Sequence, residues 1–412
     1  MSSSIAATGT ASHRSQVGLD WFAFFVADIQ TGWGLFVAAY LTSLAWTQFD
    51  IGLILTIGTI SAFTLQVPAG ALVDAFPAKR FLAAFAVACI SGSALLLAVW
   101  PNFNAVVVAK VLHAMASCLL GPTIAAISLG LVGHSLLGVR LGRNVRFLSL
   151  GNAIAAGVVG LLGYYFSNRA IFYFTAALAI PTYFALAQIR STDIDPELAR
   201  GGVSARQGSV APRTFRSLLR NRALIVFAAA VLLFQFANAA TGPIMAGLLT
   251  MREPETATLV LSIGILAPQF VVVAIAPWVG RRAESWGRRP LMLLCLVALA
   301  LRCSLFAIIT EPSLIVAVQL LDGISAATLG VLIPLVLADV TLGSGHFNFA
   351  QGVLGVAVGI GASFSTTAAG FVADHFGSAT AFLFLAAVAA TGIILVIGVM
   401  PETRDIGPPQ GN

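Results

Sequence analysis

Gly70-Ala-Leu-Val-Asp74-Ala-Phe-Pro-Ala-Lys79-Arg80 is a short polar interruption between two long apolar runs. A second version, Gly280-Arg-Arg-Ala-Glu284-Ser-Trp-Gly287-Arg288-Arg289-Pro290, stands further along in an equivalent gap. Each places an acid four residues after a glycine and paired cations shortly after the acid. A side-chain-free glycine lets two helix ends approach closely. The acid can accept hydrogen bonds from Lys79 or Arg80, or sit at the positive N-terminal end of a neighbouring helix. The bland alternative is a surface turn with screened charges. A device that recurs once per half implies a chain built from two copies of one unit.

Working outward from these loops, the chain resolves into twelve apolar segments of roughly 20 residues, the length that crosses about 30 Å of hydrocarbon. They run near 17–41, 51–73, 81–100, 105–132, 146–166 and 170–189, then 222–249, 258–280, 291–310, 313–338, 350–372 and 379–400. The runs are continuously apolar rather than alternating, so they are read as helices. With 58% hydrophobic and 9% charged residues among 412, a water-soluble surface could not be covered. All but four of the 22 Lys and Arg fall in the N-tail, in every second gap or in the C-tail. Arg169 and Arg252 lie on the opposite side, and Lys110 and Arg302 lie inside segments. That bias places both termini in the cytoplasm of an integral multi-pass protein, read here as one of the inner (plasma) membrane. The net charge of +6 is thus assigned to the lipid surface and not to nucleic acid.

The resulting organisation is a cytoplasmic N-tail (1–16), an N-terminal six-helix bundle (17–189), a cytoplasmic linker (190–221), a C-terminal six-helix bundle (222–400) and a cytoplasmic C-tail (401–412). Glycines, serine and arginines make the linker read as mobile. Its end, Arg213-Thr-Phe-Arg-Ser-Leu-Leu-Arg220, has the pattern of an amphipathic surface helix. The four cysteines all fall in apolar stretches without metal-ligand spacing and are read as small buried hydrophobes. No cofactor or metal site is expected.

The halves match elsewhere at an offset of about 209 residues. Leu112-His113 to Leu120-Gly121 parallels Leu321-Asp322 to Leu329-Gly330, and Gln30 and Gly34 parallel Asn238 and Gly242. In these features the chain resembles the major facilitator superfamily over essentially its whole length. The Gly70–Arg80 stretch is similar to that superfamily's signature loop, and Gly280–Arg289 to its second-half counterpart. Pro77, Arg282 and Glu284 depart from the pattern, standing where the family has glycine, leucine and aspartate. The resemblance implies an all-α membrane protein of twelve helices in two pseudo-symmetric bundles. It also implies a loop that latches the cytoplasmic side, and a central cavity lined by the first, fourth, seventh and tenth helices. The Gly-Pro element that the family's drug–proton antiporters carry in segment five is absent.

Charges in mid-bilayer cost several kcal/mol unless paired or hydrated, so the ionisable groups inside segments are the functional candidates. Asp28 lies about 13 residues from the outer end of its helix, near the midplane. Either it takes up protons in a cavity or it is held by a permanent partner. Lys110 and His113 share one helical face. Lys110 matches the position of an arginine in the family's fourth helix, and could instead extend to the interface. His113 has Asp322 as its repeat partner and is a proton or substrate candidate beside the ordinary reading of a satisfied structural group. Arg302 and Asp322 sit at similar depth on adjacent helices. They form either a fixed ion pair or a pair from which Asp322 switches to the cavity. Gln30, Gln235 and Asn238 are expected to bond a substrate, with Trp33 as an apolar wall.

These residues point to a secondary transporter of a small molecule, working by alternating access and coupled to protons, with a lean to efflux of amphipathic compounds. Uptake of an organic anion with protons fits the cations Lys110, His113 and Arg302. A non-transporting sensor of the same fold is the remaining possibility. No clustered nucleophile and base supports an enzyme, and no nucleotide-binding loop supports an ATP-driven pump. A monomer is expected.

Overall fold

A computed structural model describes residues 12–31, 35–202, 220–245, 254–309 and 311–404. Trp33, Gly34 and Arg252 lie outside the described residues, as does all but the last residue of the stretch read as an amphipathic surface helix. Regular structure among the described residues is entirely helical. The first half comprises α1 (His13–Thr31), α2 (Leu35–Ser43), α3 (Gln48–Ala75), α4 (Lys79–Val99), α5 (Phe103–Val132), α6 (Leu137–Tyr165), α7 (Asn168–Ala177) and α8 (Ala179–Gln188). The second comprises α9 (Arg222–Ala239), α10 (Pro254–Trp286), α11 (Arg288–Ile308), α12 (Pro312–Thr341), α13 (Phe347–Phe376) and α14 (Ser378–Val399).

Among the described residues, eleven helical stretches are long and apolar enough to span a bilayer. The twelfth, α1 with α2, is divided at the undescribed residues. Short polar gaps become caps. Asn102 accepts from the Ala105 amide (2.9 Å) and Ser167 from that of Ala170 (3.1 Å), closing the N-termini of α5 and α7. Ile180, Phe184 and Ile394 project outward, as a lipid-facing belt requires. One boundary differs from expectation. The sequence leaves 133–145 as a gap between apolar segments, yet α6 begins at Leu137 and takes in Arg140 and Arg143. The helix carries these cations because buried Asp20 of α1 accepts from both.

The repeat is visible in the packing. Within the first half α1 packs on α6, α3 on α5, and α4 on α5. Within the second, α9 packs on α13, α10 on α12, and α11 on α12. Across the halves α3 meets α13 and α6 meets α10, two contacts that exchange under the same correspondence. The halves are therefore related by a pseudo-twofold axis between them.

The stretch expected to be a mobile linker is packed as far as Gly202; residues 203–219 lie outside the description. Ile194 and Ala199 are buried against Gly130, where a Cβ would lie 3.1 Å from that of Ala199. The Gly343 amide donates to the Gly201 carbonyl (2.7 Å), so the segment holds to both halves. Asp193 accepts from the hydroxyls of Ser12 (2.6 Å) and Ser15 (2.7 Å), and these bonds hold its carboxyl below the usual range. Arg404 reaches the Ser285 carbonyl at 3.0 Å. The first and last described residues, the described part of the linker and both signature loops thus share one face, the loop face.

Candidate functional site

The first signature loop joins the halves. Gly70 packs on the N-terminal turn of α13, where an added Cβ would overlap the Asn348 carbonyl and lie 3.1 Å from Phe349 Cα. That approach brings Asp74 to the start of α13. Its carboxylate accepts from the Asn348 amide (3.0 Å), the Asn348 side chain (2.8 Å) and the Phe349 amide (2.7 Å). Of the two kinds of partner considered for Asp74, the helix N-terminus takes it. Lys79, also buried, instead donates to the carbonyls of Val73 and Phe76 (2.8 Å to the latter) and closes the end of α3. Arg80 Nε is buried without a partner among the described residues.

The second copy makes a different contact. Gly280 packs on the carbonyl of Gly138 at the start of α6. Glu284 lies over that turn, its Oε1 buried and unbonded among the described residues and its Oε2 3.5 Å from Arg288. The position equivalent to Asn348 is Gly138 (348 − 138 = 210), so no side-chain amide is present to meet the acid. Arg288 donates to Asp339 (2.8 Å) and to the Ala283 carbonyl (2.7 Å). Gly287, at φ +92°, turns the chain so that Glu402 of the C-tail accepts from the amides of Arg288 (2.8 Å) and Arg289 (3.1 Å). Asn348, Asp339 and Glu402 were missed in the sequence. An acid directly after the last span, facing a basic loop, is the signal that could have flagged Glu402.

Beyond the α3–α13 contact lies a cavity of about 420 Å³. Its lining comes from α1, α3, α5, α6, α12 and α13, so both halves contribute. The polar lining is Gln30, Gln66, Ser117, Asn144, Asn152 and Gln351, set among aliphatic residues such as Val26, Leu120 and Ile333. Gln66 stands nine residues (75 − 66) before the end of α3, about 14 Å above the loop face at 1.5 Å per residue. Gly121 and Gly330, equivalent in the repeat, both line the space, as do Pro122 and Pro334 in the same two helices. None of the described lining residues is ionisable.

Among the residues expected at the site, Gln30 lines the cavity. Asp28 does not, although Ala27 and Gln30 on either side of it do. Its Oδ1 is buried without a partner among the described residues. Lys110 lays its chain against Gly58 of α3, its Cε 3.5 Å from where a Cβ would be. His113 Nε2 lies 3.4 Å from the hydroxyl of Ser117, which does line the cavity. Gln235 packs against Gly361 of α13. Asn238 does not face the cavity: its side-chain oxygen Oδ1 accepts from Arg302, which also bonds Thr241 (3.1 Å) and Asp322. That cluster ties α9, α11 and α12 together. Gln66, Asn144, Asn152, Gln351 and Ser117 went unmarked in the sequence, because a lone uncharged polar residue in an apolar run does not reveal which way it turns. Asn144 already accepts from Arg140 (2.9 Å) and donates to Ser128 (2.7 Å).

Comparison with known proteins completes the picture. The sequence profile described as Major Facilitator Superfamily matches residues 21–268 and 230–411. The chain is 38% identical over 389 residues to an uncharacterised MFS-type transporter of Mycobacterium tuberculosis, covering 94% of this chain and 93% of that one. Over 144 residues it is 28% identical to the class B tetracycline resistance protein of Escherichia coli, 34% of this chain and 35% of the relative. The fold matches the crystal structure of the transporter FucP in its outward conformation with a TM-score of 0.64 at 17% identity, covering 93% of this chain and 97% of FucP. With the twin bundles, the paired signature loops and the central cavity in place, the chain belongs to the major facilitator superfamily of membrane transporters.

Proposed function

We propose that this transporter expels a small, uncharged amphipathic molecule in exchange for protons, by alternating access of the central cavity. The observation that carries the reading is the lining: aliphatic side chains and amides from both halves, with no charge among the described lining residues. Amides both donate and accept, so they suit neutral solutes with mixed hydrogen-bonding groups. An organic anion would meet no cation among the described lining residues. The partial likeness to a tetracycline resistance protein leans the same way. Closure at the loop face, assigned to the cytoplasm from the cation bias, leaves the cavity to exchange with the other side. In this reading the protein works as a monomer in the plasma membrane with both termini and the linker in the cytoplasm, and Lys110 and Arg302 hold helices in place.

Asp28 is the proposed proton carrier. Its carboxylate sits between residues that line the cavity and has an unbonded buried oxygen. Proteoliposomes carrying an internal pH dye test this, with neutral amphipathic antibiotics set beside cationic dyes and organic acids. Proton flux driven by the neutral set and abolished in Asp28→Asn is the expected result. Equal flux in wild type and Asp28→Asn removes Asp28 from the coupling path, and flux driven by the organic acids alone removes the substrate assignment.

A further inference from the structure

We propose that Asn348 relays the state of the cavity to the closure of the loop face. It rests on the alternating-access reading above. Asn348 is fully buried in the first turn of α13, and its side chain is committed in three directions. The amide nitrogen donates to Asp74 at 2.8 Å and to the Ala199 carbonyl of the linker at 3.1 Å. The oxygen accepts from Gln351 Nε2 at 3.1 Å. Asp74 is on α3 in the other half, and Gln351 is a half-buried residue of the cavity wall. One side chain therefore joins the cavity to two of the elements that hold the loop face shut, α3 and the linker.

The consequence follows from satisfying hydrogen bonds. A ligand with an acceptor group draws the Gln351 amide towards the cavity. The Asn348 oxygen then loses its donor in a buried site, which is costly. Turning the Asn348 amide relieves that loss only by giving up the bonds to Asp74 and Ala199. A bond from Gln351 to the solute and closure of the loop face are thereby opposed, so a solute entering from the cytoplasm favours the open state and must release Gln351 before the face shuts behind it. The mirror position, Gly138, has no side chain, so the α6–α10 contact lacks such a relay. Opening is set from the α3–α13 side.

The test needs no ligand. Spin labels are placed on cysteines at Ala78 and Ser285, both exposed on the loop face in opposite halves. Pulsed dipolar spectroscopy on the full chain in lipid nanodiscs then reads closed and open populations. Asp74→Asn should add a longer-distance population. Gln351→Leu, of similar size but without the donor, should shift the ratio towards open by about fivefold, the worth of one ordinary hydrogen bond. In an Asn348→Ala background, or Asn348→Ser if alanine does not yield folded protein, Gln351→Leu should add nothing. An unchanged distribution in Gln351→Leu, or the same shift with and without Asn348, overturns the relay while leaving alternating access standing. A single distance in every variant, Asp74→Asn included, overturns the transport reading itself.

Discussion

Removing Asp322 should harm this protein more than removing Arg302, and removing both should harm it least. Arg302 is 1% exposed, and its guanidinium is held by Asp322, Asn238 and Thr241. Asp322 is 28% exposed at its side chain. Asp322→Leu leaves a cation enclosed by apolar helices with only neutral acceptors, and breaking a buried pair in this way costs about 3–5 kcal/mol. Arg302→Met leaves a carboxylate that can still reach water, so its charge is partly screened. The main loss is then the donor to Asn238, about 1–3 kcal/mol. In the double variant no charge is stranded, and the cost should fall back to about that of the Asn238 orphan alone. The assay is the fraction of each variant that remains monodisperse after graded heating in detergent, read beside transport in proteoliposomes. Wild-type heat resistance in Asp322→Leu together with lost transport would refute the argument. The acid would then be a moving part of the cycle and not a fixed tie between α9, α11 and α12.

Gly70→Ala forces a methyl group onto the Asn348 carbonyl, and overpacking of this kind costs about 1–3 kcal/mol. The closed-to-open ratio should fall at least about fivefold in the spin-label assay, whereas Gly52→Ala on the same helix, where nothing lies within 4 Å, should leave it unchanged. Asp193 titrates below its ordinary range because Ser12 and Ser15 bond its carboxylate. Its hold on the N-tail is therefore complete above the unfolded value near pH 4 and is lost as pH falls through the lower folded value. Trypsin cleavage at exposed Arg14 should be slow at neutral pH in the wild type and faster in Asp193→Ala. Equal rates would show that the tail is held by something else.

Much of the architecture could be read from order along the chain alone. The length of each apolar run, the cations in alternate gaps and the two signature loops are local properties. A bilayer acts on each segment separately, so local properties suffice to mark the segments that cross it. The same holds for Gly70 and Gly280, whose lack of a side chain matters wherever two helices cross there. What only the tertiary structure decided is the choice of partners. Lys79 was a natural partner for Asp74, yet Asn348 takes the acid because α13 starts where α3 ends. Asn238 read as a cavity residue, yet the neighbouring α11 brings Arg302 within reach of it. Arg140 falls in a gap between apolar segments by sequence and proved to be paired with Asp20 of α1 inside a helix. Helices that are apolar on nearly every side carry little sign of which face turns inward. The rotation of each is set by its neighbours, and with it the identity of the amides that meet around the cavity.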